Sequence, residues 1–258
     1  KKNFINKEGK LLSRQWFDGV GDFHEGFVRV ELNNKWNFIN KEGQIISQQW
    51  FDYAENFSNG FAVIYIKGKG RNFIDKKGNF LFLLWFDNIY GFSDGFAAIE
   101  LNNKYNFINK EGQIISQQWF DYAGYFHEGL ARVRLNNKWN FINKEGQILY
   151  EPNNPEKWFN GAGDFCEGFA IVRLNNKWNF INKEARILYE PNNPEKWFDS
   201  ASDFYEGFTE VELNNKKNFI NKEGKLLSRQ WFDLVFDFRE GLAEVELNNK
   251  WNYINKKG

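Results

Sequence analysis

Residues 26–32, Gly-Phe-Val-Arg-Val-Glu-Leu, alternate in polarity. Val28 and Val30 fall on one side, and Arg29 and Glu31 on the other. That two-residue period predicts a strand with one face in a core and the other wet. Asn33-Asn34 follows, and Asn tolerates positive φ, so the pair predicts a hairpin turn. Lys35 to Asn40 is then the return strand. A register pairing Val30 with Trp36 and Val28 with Phe38 gives one apolar face and sets Glu31 opposite Lys35. Asn40-Lys-Glu-Gly43 predicts a type I turn with a left-handed glycine. Gln44-Ile45-Ile46 follows as a short third strand and Trp50-Phe51-Asp52 as a fourth. No segment sustains a helical period, so the class is all-β.

The same pattern recurs along the whole chain. Its central aromatic stands at Phe4, Phe38, Phe73, Phe107, Phe141, Phe180, Phe219 and Tyr253, at spacings of 34, 35, 34, 34, 39, 39 and 34. The 258 residues therefore read as one repeat domain, 1–258, of about seven β-hairpin units of 34–39 residues. The longer spacings come from one insertion used twice, YEPNNPEKW at 150–158 and 189–197, which holds all four prolines. Proline cannot donate to a sheet ladder, so these segments are loops. Propeller blades run to roughly 40–50 residues, and Arg29 and Glu31 suit a sheet wetted on one face. An open β-solenoid or superhelix is therefore favoured, with a closed β-propeller as the alternative. An open array leaves sheet edges exposed, to be capped by flanking sequence or by self-association through the array ends.

Three motifs carry a family resemblance: G-F/L-A-x-V, N-x-K-W-x-F-I-N-K-E-G and W-F-D-x-x-x-x-F-x-E-G. With them the chain resembles the bacterial WG (KWG) repeat family over essentially its full length. The resemblance implies modular binding or surface-associated repeats, a bacterial envelope or exported setting, and no shared catalytic residues. One departure is plain. The family's glycine after tryptophan is Asn here, at Asn37, Asn106, Asn140, Asn179 and Asn252, and also at Asn3, Asn72 and Asn218. Two readings of these asparagines are open: tolerance of unusual backbone angles, or a ladder of side chains bonding from repeat to repeat.

Comparison of the repeats separates core from candidate surface. Trp16, Trp50, Trp85, Trp119, Trp158, Trp197 and Trp231 never vary, nor do Phe23, Phe57, Phe92, Phe126, Phe165, Phe204 and Phe238. Both rows read as core ladders. Trp36, Tyr105, Trp139, Trp178 and Trp251 instead share their position with Lys2, Arg71 and Lys217. A position that accepts both Trp and Lys is not fully buried. Either these rings lie flat on the sheet, or they form an exposed row that stacks on sugars, bases or partner side chains. This row is the first candidate binding surface. The second is Phe82-Leu83-Leu84, where other repeats have Ser13-Arg14-Gln15 or Ser47-Gln48-Gln49. Exposed apolar patches mark interaction surfaces, unless local packing covers them.

Composition narrows the function. There are 34 basic and 34 acidic residues. That balance, with Lys35 and Lys41 offset by Glu31 and Glu42, argues against a nucleic-acid partner. The longest apolar run, 80–86, is far short of the roughly 20 residues of a membrane span. Cys166 is the only cysteine, and His24 and His127 share its variable slot, which reads as a loop tip. Carboxylates cluster, as at Asp18, Asp22 and Glu25, but unevenly between repeats, and such residues also bond local amides near turns. No catalytic residue, metal site or cofactor is expected. The expectation is a non-enzymatic repeat scaffold that binds another macromolecule, a protein first, through a repeated surface, with lectin-like glycan binding by the exposed aromatic row as the alternative.

Overall fold

The computed structural model describes residues 1–258 and is all-β. The first sheet is an antiparallel meander of β1 (Gly19–His24), β2 (Phe27–Leu32) and β3 (Lys35–Asn40). The same three-stranded sheet recurs within residues 53–75, 88–109, 122–143, 161–182, 200–221 and 234–255. There are seven separate sheets, none of which closes into a barrel, and within each compact unit they follow one another as a serial, solenoid-like array. The chain forms two compact units, Lys1–Trp119 with three sheets and Phe120–Gly258 with four. The only helical turns are two short 3-10 segments, Pro155–Lys157 and Pro194–Lys196, in the proline-bearing insertions. Proline suits the first position of a helical turn because its missing N–H had no partner to lose.

Both turns of the first meander are two-residue hairpins, and the other sheets repeat them except between Ile66 and Gly70, where three residues intervene. Glu25 (φ 50°) and Gly26 (φ 90°) join β1 to β2, and Asn33 (φ 52°) and Asn34 (φ 59°) join β2 to β3. Positive φ at both central residues is the hairpin geometry that matches strand twist. This turn corrects the register expected from the sequence. Leu32 pairs with Lys35, so Glu31 faces Trp36, Val30 faces Asn37 and Val28 faces Ile39. Pairing Val30 with Trp36 would have needed a three-residue loop.

The one-residue slip changes which side chains share a face. Val28, Val30 and Ile39 meet in one core cluster. Phe38 points the other way, into the cluster of the following repeat with Phe51 and Phe57. Phe38 and Ile39 are both wholly buried, so the middle of β3 is covered on both faces. A sheet wetted on one whole face, as Arg29 and Glu31 suggested, is not what forms.

Beyond Asn40 the chain doubles back along the free edge of β3. The expected turn forms, with the Gly43 amide donating to the Asn40 carbonyl at 3.0 Å. Ile46 then donates to the Phe38 carbonyl, and Trp36 and Phe51 exchange both backbone bonds. The expected third and fourth strands are thus two isolated contacts on one edge, Ile39 with Ile45 and Trp36 with Phe51. Between them residues 47–50 bulge away.

Asn37 fills that bulge. Its side-chain amide donates to the carbonyls of Ser47 (2.8 Å) and Gln49 (3.1 Å). Its oxygen accepts from the amide of Phe38. Asn72, Asn106 and Asn218 repeat both loop bonds, and Asn140 and Asn179 reach the tyrosines of the insertions, Tyr150 and Tyr189. This corrects both sequence readings. These asparagines do not adopt positive φ, and their side chains bond within their own repeat, not along the array.

The tryptophan row also needs correction. Only Trp158 and Trp197 are fully buried, while Trp16 is 49% exposed. The invariant core residue is the next one, Phe17, Phe51, Phe86, Phe120, Phe159 and Phe198, each 0–1% exposed. Pairing of Phe51 with the edge of β3 turns its ring inward, and alternation turns Trp50 out. The insertions bury their tryptophans differently. The 3-10 turn brings Trp158 Nε1 within 3.1 Å of the Glu151 carbonyl, and Trp197 repeats this with Glu190. The phenylalanine row is core as expected at Phe57, Phe126, Phe165, Phe204 and Phe238, while Phe92 is partly buried against the core and Phe23 is 40% exposed.

Candidate functional site

The acidic clusters hold repeats together. Asp52 accepts from the ammonium of Lys35 in its own hairpin and, through its other oxygen, from the amide of Lys67 in the next hairpin turn (2.8 Å). Asp18, Asp199 and Asp233 repeat the bond to the following turn. Glu25 reaches across the other end of the sheet to the Gly60 amide (2.9 Å) and to Lys76 (3.1 Å). Glu128 does the same with Gly168 and Lys183, and Glu167 with Gly207 and Lys222.

These bonds hold the carboxyls below their ordinary range. For Asp52 the Lys35 ammonium acts first, then the Lys67 amide. For Glu25 the Lys76 ammonium is the main cause. For Glu128 burial pushes upward, and the bonds from Lys183 and Gly168 outweigh it. Charges bound in this way hold neighbouring repeats in register. No group of three or more His, Cys, Asp or Glu stands close enough together to hold a metal ion. No helix is long and apolar enough to cross a membrane. His24, His127 and Cys166 are exposed. The Cys166 thiol is pushed up by burial and by nearby Asp203, Glu167 and Glu128.

Within its own sheet Trp36 lies on the face opposite Val28 and Val30, and Trp36, Tyr105, Trp139 and Trp178 are each half-buried. The guanidinium of Arg29 lies 5.3 Å from the Trp36 ring while its Nη1 donates to the Ala54 carbonyl of the next repeat. Arg132 and Arg134 lie 5.4 and 5.5 Å from Trp139, with Tyr122 edge-on at 5.3 Å. Arg173 lies 5.4 Å from Trp178. Tyr105 packs against Tyr90, 6.3 Å between centroids, and burial together with the contacts to Tyr105 and Glu100 pushes the Tyr90 phenol up to about 12. Where the row has Lys217, the diagonal residue is Glu210, and the two form an ion pair. Cation and ring thus alternate with cation and carboxylate at one structural position. Trp251 is the open member, 50% exposed, with Phe236 at 5.8 Å. The register slip explains why sequence reading missed the arginines: it hid the diagonal that puts Arg29 over Trp36.

The second candidate patch is a loop in the first unit. Leu83 is fully exposed and Leu84 is 60% exposed. Phe82 is half-buried, edge-on to Phe86 at 5.4 Å. The loop backbone keeps the Asn72 bonds to Phe82 and Leu84. It lacks the Ser47 hydroxyl that accepts from the Gln49 amide in the preceding repeat. An open depression of about 360 Å³ lies beside it, lined by Leu81, Phe82, Leu84, Phe86 and Ile114 among others.

A family model described as the WG containing repeat matches residues 4–36, 38–69, 73–105, 107–139, 141–178, 196–216 and 219–251. No curated protein matches the chain. Among solved structures it is similar to the computationally designed Ika8 protein, at 10% identity and a TM-score of 0.35, over 95% of this chain and 86% of that one. It is also similar to BamB from Moraxella catarrhalis (9%, TM-score 0.34, 91% and 83%). A third is the WD40 β-propeller domain of Doa1 (11%, TM-score 0.31, 92% and 95%). Similarities this low assign neither shape nor activity.

Proposed function

The chain belongs to the WG repeat family, and from that premise we propose that it is a non-enzymatic scaffold that binds a protein partner through surface its repeats present. The observation that carries the reading is Leu83, fully exposed beside Leu84 in a loop whose counterparts are polar. An exposed apolar patch is costly to leave in water without a partner. Glu25 and Asp52, two carboxylates of the acidic clusters, are engaged as latches between repeats.

The aromatic row supports a second reading, glycan binding, chiefly through Trp251 and its neighbour Phe236. Arg29, Arg132 and Arg173 cover part of Trp36, Trp139 and Trp178, leaving those rings less face for a sugar. A photo-crosslinking residue at position 83, with position 48 as control, tests the protein reading in extracts of the source cell. A discrete adduct at 83 and none at 48 is expected. Absence of any adduct at 83 overturns it. Saturable quenching of tryptophan fluorescence by an oligosaccharide, lost in Trp139→Ala/Trp178→Ala and in Trp251→Ala, transfers the function to the glycan reading.

A further inference from the structure

Departures from the repeat pattern concentrate around one loop. Where Glu25, Glu128, Glu167, Glu206 and Glu240 precede the hairpin glycine, this junction has Asn59. Where six of the eight NK-turns carry Glu, this one carries Lys77. Phe80 replaces a smaller Ile or Leu, and Phe82-Leu83-Leu84 replace polar residues. The first change removes a negative charge and the second reverses one.

These changes act together in space. By the latch geometry, the carboxylate that Glu25 gives to Lys76 would come to Lys110 from position 59. Asn59 instead reaches only the Ser58 hydroxyl, and neither Lys77 nor Lys110 has an ion pair. Lys76, Lys77 and Lys110 line a depression of about 400 Å³ together with Phe80 and Leu81. Asp75, also in its wall, accepts from the turn amides of Lys77 and Asn79. Leu81 also lines the apolar depression beside Phe82, Leu84 and Ile114, so the two are adjoining. Phe80 and Ile114 are each 40% exposed at its border.

We propose that this junction is a single asymmetric docking site for an acidic, amphipathic protein segment, one whose carboxylates meet Lys77 and Lys110 while large apolar side chains enter the depression beside Phe82 and Leu84. The inference rests on the protein-binding reading above and names the chemistry of its partner. Charge complementarity selects the sign: the apolar surface is bordered by Lys110, whose ammonium the regular repeat would have neutralised, and by Lys77, where the regular repeat carries a carboxylate. The other repeats lack this combination, so one site per chain is expected.

The test uses the full chain and a random peptide display library. Two variants restore the repeat's own pattern and keep its fold: Leu83→Gln/Leu84→Gln and Asn59→Glu/Lys77→Glu. Thermal melts verify that both are folded. Selected peptides are expected to place Asp or Glu beside large apolar residues. Their affinity should fall at least about tenfold in either variant, and fall with added salt. Peptides without acidic residues, peptides indifferent to both variants, or no selection at all overturn the site. The protein-binding reading fails separately, by the absence of an adduct at position 83 in cell extract.

Discussion

The side-chain amide of Asn37 stands 2.8 Å from the carbonyl of Ser47, closing the gap where the returning chain leaves the edge of β3. Asn37 is wholly buried. Asn37→Ala, or Asn37→Gly as in the family pattern, strands two loop carbonyls. At about 1–3 kcal/mol for each group left unsatisfied, a loss of about 2–6 kcal/mol is expected. A lowered urea midpoint and faster hydrogen exchange at the Ile46 amide would check it. An unchanged midpoint would mean that water replaces the side chain without cost.

Phe51 and Trp16 separate the two neighbouring rows. Phe51 is wholly buried and Trp16 is 49% exposed. Phe51→Ala should cost about 3–5 kcal/mol, and Trp16→Ala under about 1 kcal/mol. Equal losses in chemical denaturation would contradict the assignment of the core to the phenylalanine.

Gly43 and Gly9 occupy equivalent turns in two repeats with nearly the same φ, 77° and 76°. A Cβ on Gly43 would lie 1.7 Å from the Leu12 carbonyl oxygen of the preceding repeat, and one on Gly9 meets nothing within 4 Å. Gly9→Ala should therefore show only the left-handed penalty, about 1–2 kcal/mol. Gly43→Ala should exceed it, because backbone must move. The same turn carries Ala185 at φ 62°, so the turn alone does not forbid a side chain. Matching melting temperatures for the two variants would remove the proposed close approach between repeats.

The latch carboxylates make stability depend on pH. Asp52, Glu25 and Glu128 all have folded values below their ordinary 3.8, 4.5 and 4.5. Their contribution is then fully present above the ordinary values and is lost as pH falls through the lowered ones. Melting temperatures should be level from pH 7 to about 5 and decline below it. Glu128→Gln should lower the melting temperature at pH 7 and flatten the acid decline. An unchanged decline would mean that other carboxyls govern it.

Period and turn chemistry were legible from the residues alone. Alternation in 26–32, paired asparagines and a glycine after Asn-Lys-Glu depend on local backbone preference, and each formed where expected. The recurrence of Phe4 to Tyr253 likewise announced seven units before any contact was known. Register was decided by the turn. Two positive-φ asparagines admit only a two-residue loop, and that single-residue difference moved Arg29 over Trp36 and Phe38 into the following repeat's cluster.

Only the tertiary structure assigned work to Asn37, Glu25 and Asp52. Their partners lie 10, 35 and 15 residues further on, at Ser47, Gly60 and Lys67; Ser47 comes within reach once the chain has doubled back along the edge of β3, and Gly60 and Lys67 once one sheet has stacked on the next. It also gave Asn59 and Lys77 their meaning. As letters they are two mild substitutions; beside Lys110 and the Phe82 loop they remove the counter-charges from an apolar depression. Local conformational preference is written residue by residue. Charge balance and burial depend on which repeats face each other, which no single repeat encodes.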